Sequence, residues 1–324
     1  MLSVRTTRKG PSMKTWIHAR SFKTVLVLVG LALWGGPVNV CFASASAGHF
    51  FVVSSTTVIA DLVRNVGGDR VAVTPLAPAG ADPHTFQPTP NAMKVLASAR
   101  LAIFNGSGLE EWWGKMVRTV GRKDLPVVEL SKGLATIRMP GHKQDGHGHA
   151  EGADPHVWLD PVLVKQYVDR IREALARADT AGAASYAERA KVYQSKLDEL
   201  DGWIRAEVDK VPVVRRKMVT FHNAFQYLGN RYGLAVKGFV VASPGKEPSA
   251  KALAELVRRI KQEQVPAVFI EADFNPKILE TLGRDAGVKV VTNLYDGSLS
   301  DGPPADTYLN LMRHNIHTIV SALR

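Results

Sequence analysis

The stretch 185–211, SYAERAKVYQSKLDELDGWIRAEVDKV, divides the chain into two halves of similar pattern. Apolar side chains recur in it at every third or fourth position, so it predicts one amphipathic helix that ends before Pro212. At a rise of 1.5 Å per residue the helix is about 40 Å long, enough to run the length of a two-lobed molecule. We expect its apolar stripe to pack against both lobes, with a coiled coil as the alternative. The stripe comprises Tyr186, Ala190, Tyr193, Leu197, Leu200, Ile204 and Val208.

Short apolar runs alternate with helical patterns on both sides of this stretch. Such alternation is typical of parallel sheets covered by helices. The predicted strands are 50–54, 71–76, 101–105, 127–130, 217–221, 234–240, 267–271 and 288–292. The predicted helices besides the long one are 58–66, 92–99, 110–120, 161–178, 225–232, 250–262 and 277–286.

The sequence therefore predicts an α/β protein of two lobes joined by one long backbone helix. Each lobe has a sheet of roughly four mainly parallel strands with flanking helices. We place the N-terminal lobe at 48–180, the linking helix at 181–212 and the C-terminal lobe at 213–324.

Residues 1–47 have the organisation of a secretory signal peptide. A basic stretch ends at Lys23, an apolar run covers 25–34, and small residues fill 43–47. This order predicts export to the periplasm with cleavage after Ala45 or Ala47, and Met13 is an alternative start. A membrane anchor is the other interpretation, but an apolar run of ten residues is short for a span.

The only cysteine, Cys41, lies in this leader. The mature chain is therefore expected to have no disulfide and no thiolate metal site. Lipidation of Cys41 is an alternative, although Val40 does not fit the small residue expected before a lipidated cysteine.

Much of the positive charge belongs to the leader. The whole chain has a net charge of +11, but residues 1–47 hold six basic side chains and no acidic one. The remaining 35 basic and 30 acidic residues leave a net charge of only +5. Because there is also no basic stripe with interleaved aromatics, we expect no binding to nucleic acid.

The tripeptide Asp-Pro-His occurs twice, ending at His84 and His156. Proline fixes its own φ and restricts the residue before it, so each tripeptide forms a stiff turn that presents a histidine. Each aspartate is a candidate acceptor for the ring of its histidine, and a cap for the turn or the following helix is the alternative. The repetition favours two metal ligands over two unrelated histidines.

Two further candidates follow predicted strands of the second half. His222 directly follows the strand 217–221, and Asp296 follows the strand 288–292. Ligands of open α/β sheets gather at the carboxyl ends of the strands, so both positions suit binding residues. For His222 the alternative is a histidine bonded at a helix start, and for Asp296 it is an ordinary Asp-Gly turn.

The chain resembles the metal-specific solute-binding proteins of ABC importers, the zinc and manganese group with a helical backbone between two lobes. The resemblance rests on the order and spacing of several short motifs along nearly the whole mature chain. These are GADPHTFQP (80–88), NGSGLE (105–110), DPHVWLDP (154–161), FHNAF (221–225), PGKEPS (244–249) and FIE (269–271), followed by Thr307, Tyr308, Met312 and Asn315.

The resemblance implies a periplasmic carrier that delivers a divalent metal ion to the membrane permease of an ABC transporter. It implies His84 and His156 as ligands from the first lobe, with His222 and Asp296 from the second. Zinc-type members carry histidine at the third position and manganese-type members often carry glutamate, so His222 favours Zn²⁺, with Mn²⁺ as the alternative. We expect a monomer. Water in place of Asp296 is the alternative for the fourth ligand.

Three neutral imidazoles and one carboxylate suit a tetrahedral zinc ion. Because two ligands come from each lobe, a relative shift of the lobes would lengthen the bonds and release the ion. The loop 139–153 holds His142, His147 and His149, which either collect zinc weakly or are solvated without a role.

Two other classes of function fit the sequence less well. A zinc hydrolase needs an open coordination position and a general base, for which Glu247 or Glu271 could serve. The sequence has no His-Glu-x-x-His helix and no Gly-x-Ser-x-Gly elbow, so we expect no enzyme. A surface adhesin is the third reading, and a leader without lipidation argues against it.

Overall fold

A computed structural model of the protein describes residues 49–138, 152–272, 274 and 277–324. The predicted signal peptide at 1–47, with Cys41, lies outside these residues. So does most of the loop 139–153, including its three histidines. Within the described residues, the two-lobed α/β fold predicted from the sequence is confirmed.

The first sheet has four strands, all parallel, in the order β2-β1-β3-β4. The predicted bounds of these strands agree with the structure to within one residue. The strands are β1 (Phe50–Ser54), β2 (Val71–Pro75), β3 (Leu101–Phe104) and β4 (Val127–Glu129).

The second sheet repeats this arrangement in the order β6-β5-β7-β8, again with parallel neighbours. Because β5 is central, its carboxyl end lies between those of β6 and β7. The strands are β5 (Lys217–His222), β6 (Ala235–Val241), β7 (Ala267–Glu271) and β8 (Lys289–Leu294).

Nine α-helices occur among the described residues. The predicted set lacked the last of them, although its apolar positions have helical spacing and Thr307 caps its start through the N–H of Asn310 at 3.2 Å. None of the nine is both long and apolar enough to cross a membrane. They are α1 (Thr57–Gly67), α2 (Pro90–Ser98), α3 (Glu111–Val120), α4 (Pro161–Ala178), α5 (Ala183–Val208), α6 (Gln226–Tyr232), α7 (Ala250–Glu263), α8 (Lys277–Ala286) and α9 (Tyr308–Leu323).

The long helix α5 lies at the centre of the packing. Every member of its apolar stripe is buried, and α5 packs against α1, α4 and α9. One apolar core runs from the first sheet past α5 to the second sheet. Two smaller clusters lie beneath α2 and α3 and beneath α7 and α8. Because the central core is continuous, the lobe boundaries at 180 and 212 stay a prediction.

Candidate metal centre

Three of the predicted ligands meet between the two sheets. His222 is the last residue of β5, His84 lies in the loop between β2 and α2, and His156 precedes the short turn that leads into α4. The Nε2 atom of His156 lies 3.2 Å from that of His84 and 3.3 Å from that of His222. One nitrogen from each ring lies within 4.8 Å of the other two. Tetrahedral zinc with bonds of about 2.0–2.1 Å separates its ligand nitrogens by roughly 3.4 Å, so the spacing suits one ion.

Asp296 approaches this cluster from one side. It follows β8 by two residues, is 4% exposed, and places its Oδ2 3.3 Å from Nε2 of His222. The compact set of mutually close atoms comprises the three histidines and does not extend to this carboxylate. Asp296 is thus near the site and in contact with His222.

The two Asp-Pro-His turns use their aspartates differently. Asp154 Oδ1 lies 2.8 Å from Nδ1 of His156 and also accepts its backbone N–H. In the first turn Asp82 accepts the backbone N–H of His84 at 2.9 Å and the hydroxyl of Thr85 at 2.7 Å. The second aspartate therefore orients an imidazole, with Nδ1 as donor and Nε2 directed at the cluster, whereas the first caps its turn.

Glu271 lies beside the histidine of the second lobe. It ends β7, beside β5, is 1% exposed, and its Oε1 lies 3.2 Å from Nδ1 of His222. Unlike the contact of Asp154 with His156, this contact lacks the geometry of a hydrogen bond among the described residues. The sequence predicts Glu271 only as a possible base and as part of a motif. The missing information was the strand order, because only the adjacency of β5 and β7 brings the two residues together.

The site holds more buried negative charge than its hydrogen bonds compensate. Asp154 Oδ2 and Glu271 Oε2 are buried and receive no hydrogen bond from the described residues. A buried carboxylate without partners is costly unless a positive charge lies nearby. A divalent cation among the three histidines would supply that charge, so the donors and the electrostatics both fit a metal ion.

The environment lowers the pKa of two of these histidines and raises that of the third. Burial and repulsion from the other two rings lower the pKa of His84 well below its usual value. Burial also lowers the pKa of His156, against the opposing effect of Asp154. For His222 burial acts downward, but the carboxylates of Asp296 and Glu271 outweigh it and raise the pKa to about 9. In the absence of metal, we therefore expect His222 to carry a proton at neutral pH.

Asp154→Ala is expected to weaken Zn²⁺ binding by roughly 10–100-fold, because the ring of His156 loses the acceptor that fixes its tautomer and orientation. Asp154→Asn keeps an oxygen at the same place and is expected to recover part of the loss. Competition titration against a chromophoric chelator measures both variants. An Asp154→Ala protein that binds Zn²⁺ as tightly as the wild type would show that this contact has no bearing on the metal.

Known proteins of the same kind match over most of the chain. Residues 52–322 match the family described as zinc-uptake complex component A, periplasmic. The manganese-binding lipoprotein MntA of Halalkalibacterium halodurans is 31% identical over 303 residues, 93% of this chain and 98% of MntA. The iron-binding protein YfeA of Yersinia pestis is 29% identical over 277 residues, 85% of this chain and 87% of YfeA.

The fold has a close counterpart among solved structures. The periplasmic zinc-binding protein TroA from Treponema pallidum aligns with a TM-score of 0.78 at 32% identity. The alignment covers 85% of this chain and 99% of TroA.

Proposed function

We propose that this chain, which belongs to the periplasmic zinc-uptake complex component A family, binds one Zn²⁺ ion through His84, His156, His222 and Asp296. The family consists of solute-binding transport proteins, and the chain is not an enzyme. Whichever metal it carries, it is a metal-binding component of an ABC importer that works on the periplasmic side of the membrane.

The convergence of the three Nε2 atoms supports this ligand set more than any other observation. The ring of His156 is oriented by a hydrogen bond to the buried carboxylate of Asp154, and that of Glu271 lies 3.2 Å from Nδ1 of His222, so that Nε2 of both rings is left to bind metal. Such pairs of carboxylate and imidazole accompany metal-ligating histidines in many proteins. Asp296 would supply the remaining ligand, and a water molecule in its place is the alternative.

Zinc is the metal that these ligands favour. The relatives are divided, since MntA is named for manganese, TroA for zinc and YfeA for iron. Three imidazoles with one carboxylate form a nitrogen-rich site, and nitrogen ligands bind Zn²⁺ more tightly than Mn²⁺ or Fe²⁺. We therefore assign zinc as the cargo and manganese as the alternative.

The ion would pass from this protein to the membrane permease of the transporter. A relative, PsaA of Streptococcus mitis, is named as the substrate-binding lipoprotein of a manganese ABC transporter. We propose that the chain acts as a monomer, binds no nucleic acid, and reaches the periplasm through a cleaved signal peptide at 1–47.

Metal analysis of protein purified from its native compartment tests the choice of cargo. We expect one zinc ion per chain, with manganese and iron in trace amounts, and we expect added Zn²⁺ to displace Mn²⁺ from loaded protein in vitro. The Irving–Williams order predicts that displacement for any site of this composition, so the native content is the deciding result. A native protein filled mainly with manganese or iron would overturn the zinc assignment while leaving the carrier function intact.

A further inference from the structure

The loop that carries Asp296 leaves the second lobe and lies against the first. We call residues 296–299, which follow β8, the Asp296 loop. Its first backbone carbonyl, that of Asp296, accepts a hydrogen bond of 2.5 Å from the indole N–H of Trp158. Trp158 belongs to the first lobe, two residues beyond His156, and its own carbonyl accepts the hydroxyl of Tyr308 at 2.7 Å.

Two more hydrogen bonds join the far end of the Asp296 loop to the first lobe. The backbone N–H of Gly80 donates to the hydroxyl of Ser298 at 2.7 Å. The backbone N–H of Leu299 donates to the hydroxyl of Thr57, the first residue of α1, at 2.8 Å. Both Ser298 and Thr57 are buried, so water competes little for these bonds.

The middle of the Asp296 loop packs directly on the first Asp-Pro-His turn. A Cβ atom at Gly297 would lie 2.7 Å from Cδ of Pro83, closer than such atoms can approach. The absence of a side chain at Gly297 therefore permits the contact. Pro83 immediately precedes His84, so this contact brings the Asp296 loop beside a proposed ligand of the first lobe.

On the other side of Asp296, the chain is held by α9 rather than by the second sheet alone. The side chain of Asn315 accepts the N–H of Tyr295 at 2.9 Å and donates to its carbonyl at 2.5 Å. The start of α9 is fixed to the first lobe in turn, because the N–H of Tyr308 donates to Asp61 of α1 at 3.0 Å.

We infer that the first lobe positions Asp296, with Thr57, Trp158 and Ser298 as positioning residues. This inference rests on the proposed function, in which Asp296 binds the metal. Asp296 follows β8 of the second lobe, but its carbonyl and the residues that follow it are held by the first lobe.

A double-mutant cycle on zinc affinity tests the role of Thr57. Thr57→Val keeps the shape of the side chain and removes the hydroxyl that holds Leu299. We expect it to raise the Kd for Zn²⁺ by about 10-fold, the lower end of the effect of outer partners of metal ligands. Because it acts through Asp296, its effect is expected to shrink to less than about 2-fold when Asp296→Ala is already present. A merely structural role would give the same factor in both backgrounds.

The adjacent residue provides a matched control. Thr56 is also buried, but its hydroxyl caps α1 through the N–H of Ile59. Thr56→Val is expected to lower the denaturant midpoint of the metal-free protein and to leave zinc affinity unchanged. Ser298→Ala serves as the second variant in case Thr57→Val does not fold, and the same cycle with Asp296→Ala applies to it.

The outcomes separate the inference from the function on which it rests. Zinc affinity unchanged by Thr57→Val, or lowered equally in both backgrounds, would overturn the positioning role while Asp296 remains a ligand. Zinc affinity unchanged by Asp296→Ala alone would remove Asp296 from the proposed ligand set, and the inference would fall with it.

Discussion

His156→Ala and His222→Ala are each expected to lower the affinity for Zn²⁺ by more than about 100-fold, since loss of even an outer partner costs roughly 10–100-fold. Each substitution removes an imidazole whose Nε2 atom lies 3.3 Å from Nε2 of the other histidine. It also leaves a buried carboxylate, Asp154 or Glu271, without the ring beside it. Isothermal titration calorimetry, with a competing chelator for the wild type, measures the difference.

Stability has to be measured alongside affinity, because both histidines are buried. The folded fraction of each variant is followed by circular dichroism during denaturant unfolding. His317→Ala is the matched control, since His317 is exposed on α9 outside the proposed site. Folded variants of His156 and His222 that both retain wild-type affinity would refute the proposed ligand set.

Zinc affinity is expected to fall about tenfold for each unit of pH below about 9, because one proton then competes with the ion. The competing proton is that on His222, whose pKa is raised to about 9. The pKa values of His84 and His156 are lowered from 6.5, so their competition begins only in more acidic solution. Between about pH 8.5 and pH 6.5 the expected loss is therefore about 100-fold, and the dependence becomes steeper below that range.

The proton balance can be measured directly. Calorimetry of zinc binding in buffers of different ionisation enthalpy is expected to show release of about one proton per ion at neutral pH. His222→Ala is expected to abolish that release. Zinc binding without proton release by the wild-type protein at neutral pH would mean that His222 is not protonated in the metal-free state.

The same pKa shift has a consequence for the metal-free protein. His222 titrates at about 9 in the folded state, above its ordinary value of 6.5. Its interaction with Asp296 and Glu271 therefore contributes stability that is fully present below about pH 6.5 and is lost as the pH rises through about 9. Zinc replaces the proton, so the loaded protein does not depend on this contribution.

Local patterns in the sequence were sufficient for the fold and for the position of the histidines. The strands and the helices α1 to α8 followed from periodicity, whereas α9 was missed, and the strand ends at His222 and near Asp296 followed from the same pattern. The apolar stripe predicted for the long helix is the face that the structure buries. An amphipathic helix has one energetically favourable face for packing, so the pattern predicts that face. The repeated Asp-Pro-His tripeptide was a local signal as well.

Local sequence patterns do not predict the contacts around these residues. The pairing of Glu271 with His222 depends on the order of strands in the sheet, which periodicity does not encode. The bond from Trp158 to Asp296 ends on a backbone carbonyl, a group that every residue has, so no side chain marks it. Asp82 caps its turn whereas Asp154 contacts the ring of its histidine, although both belong to identical tripeptides. The difference depends on the surrounding fold.

Anomalous diffraction at the zinc absorption edge, from crystals of the zinc-loaded protein, is the decisive test of the four-ligand site. We expect one strong peak per chain, at about 2.0–2.2 Å from a nitrogen of His84, His156 and His222 and from a carboxylate oxygen of Asp296. A single strong peak that lies outside bonding distance of two or more of these four residues would contradict it.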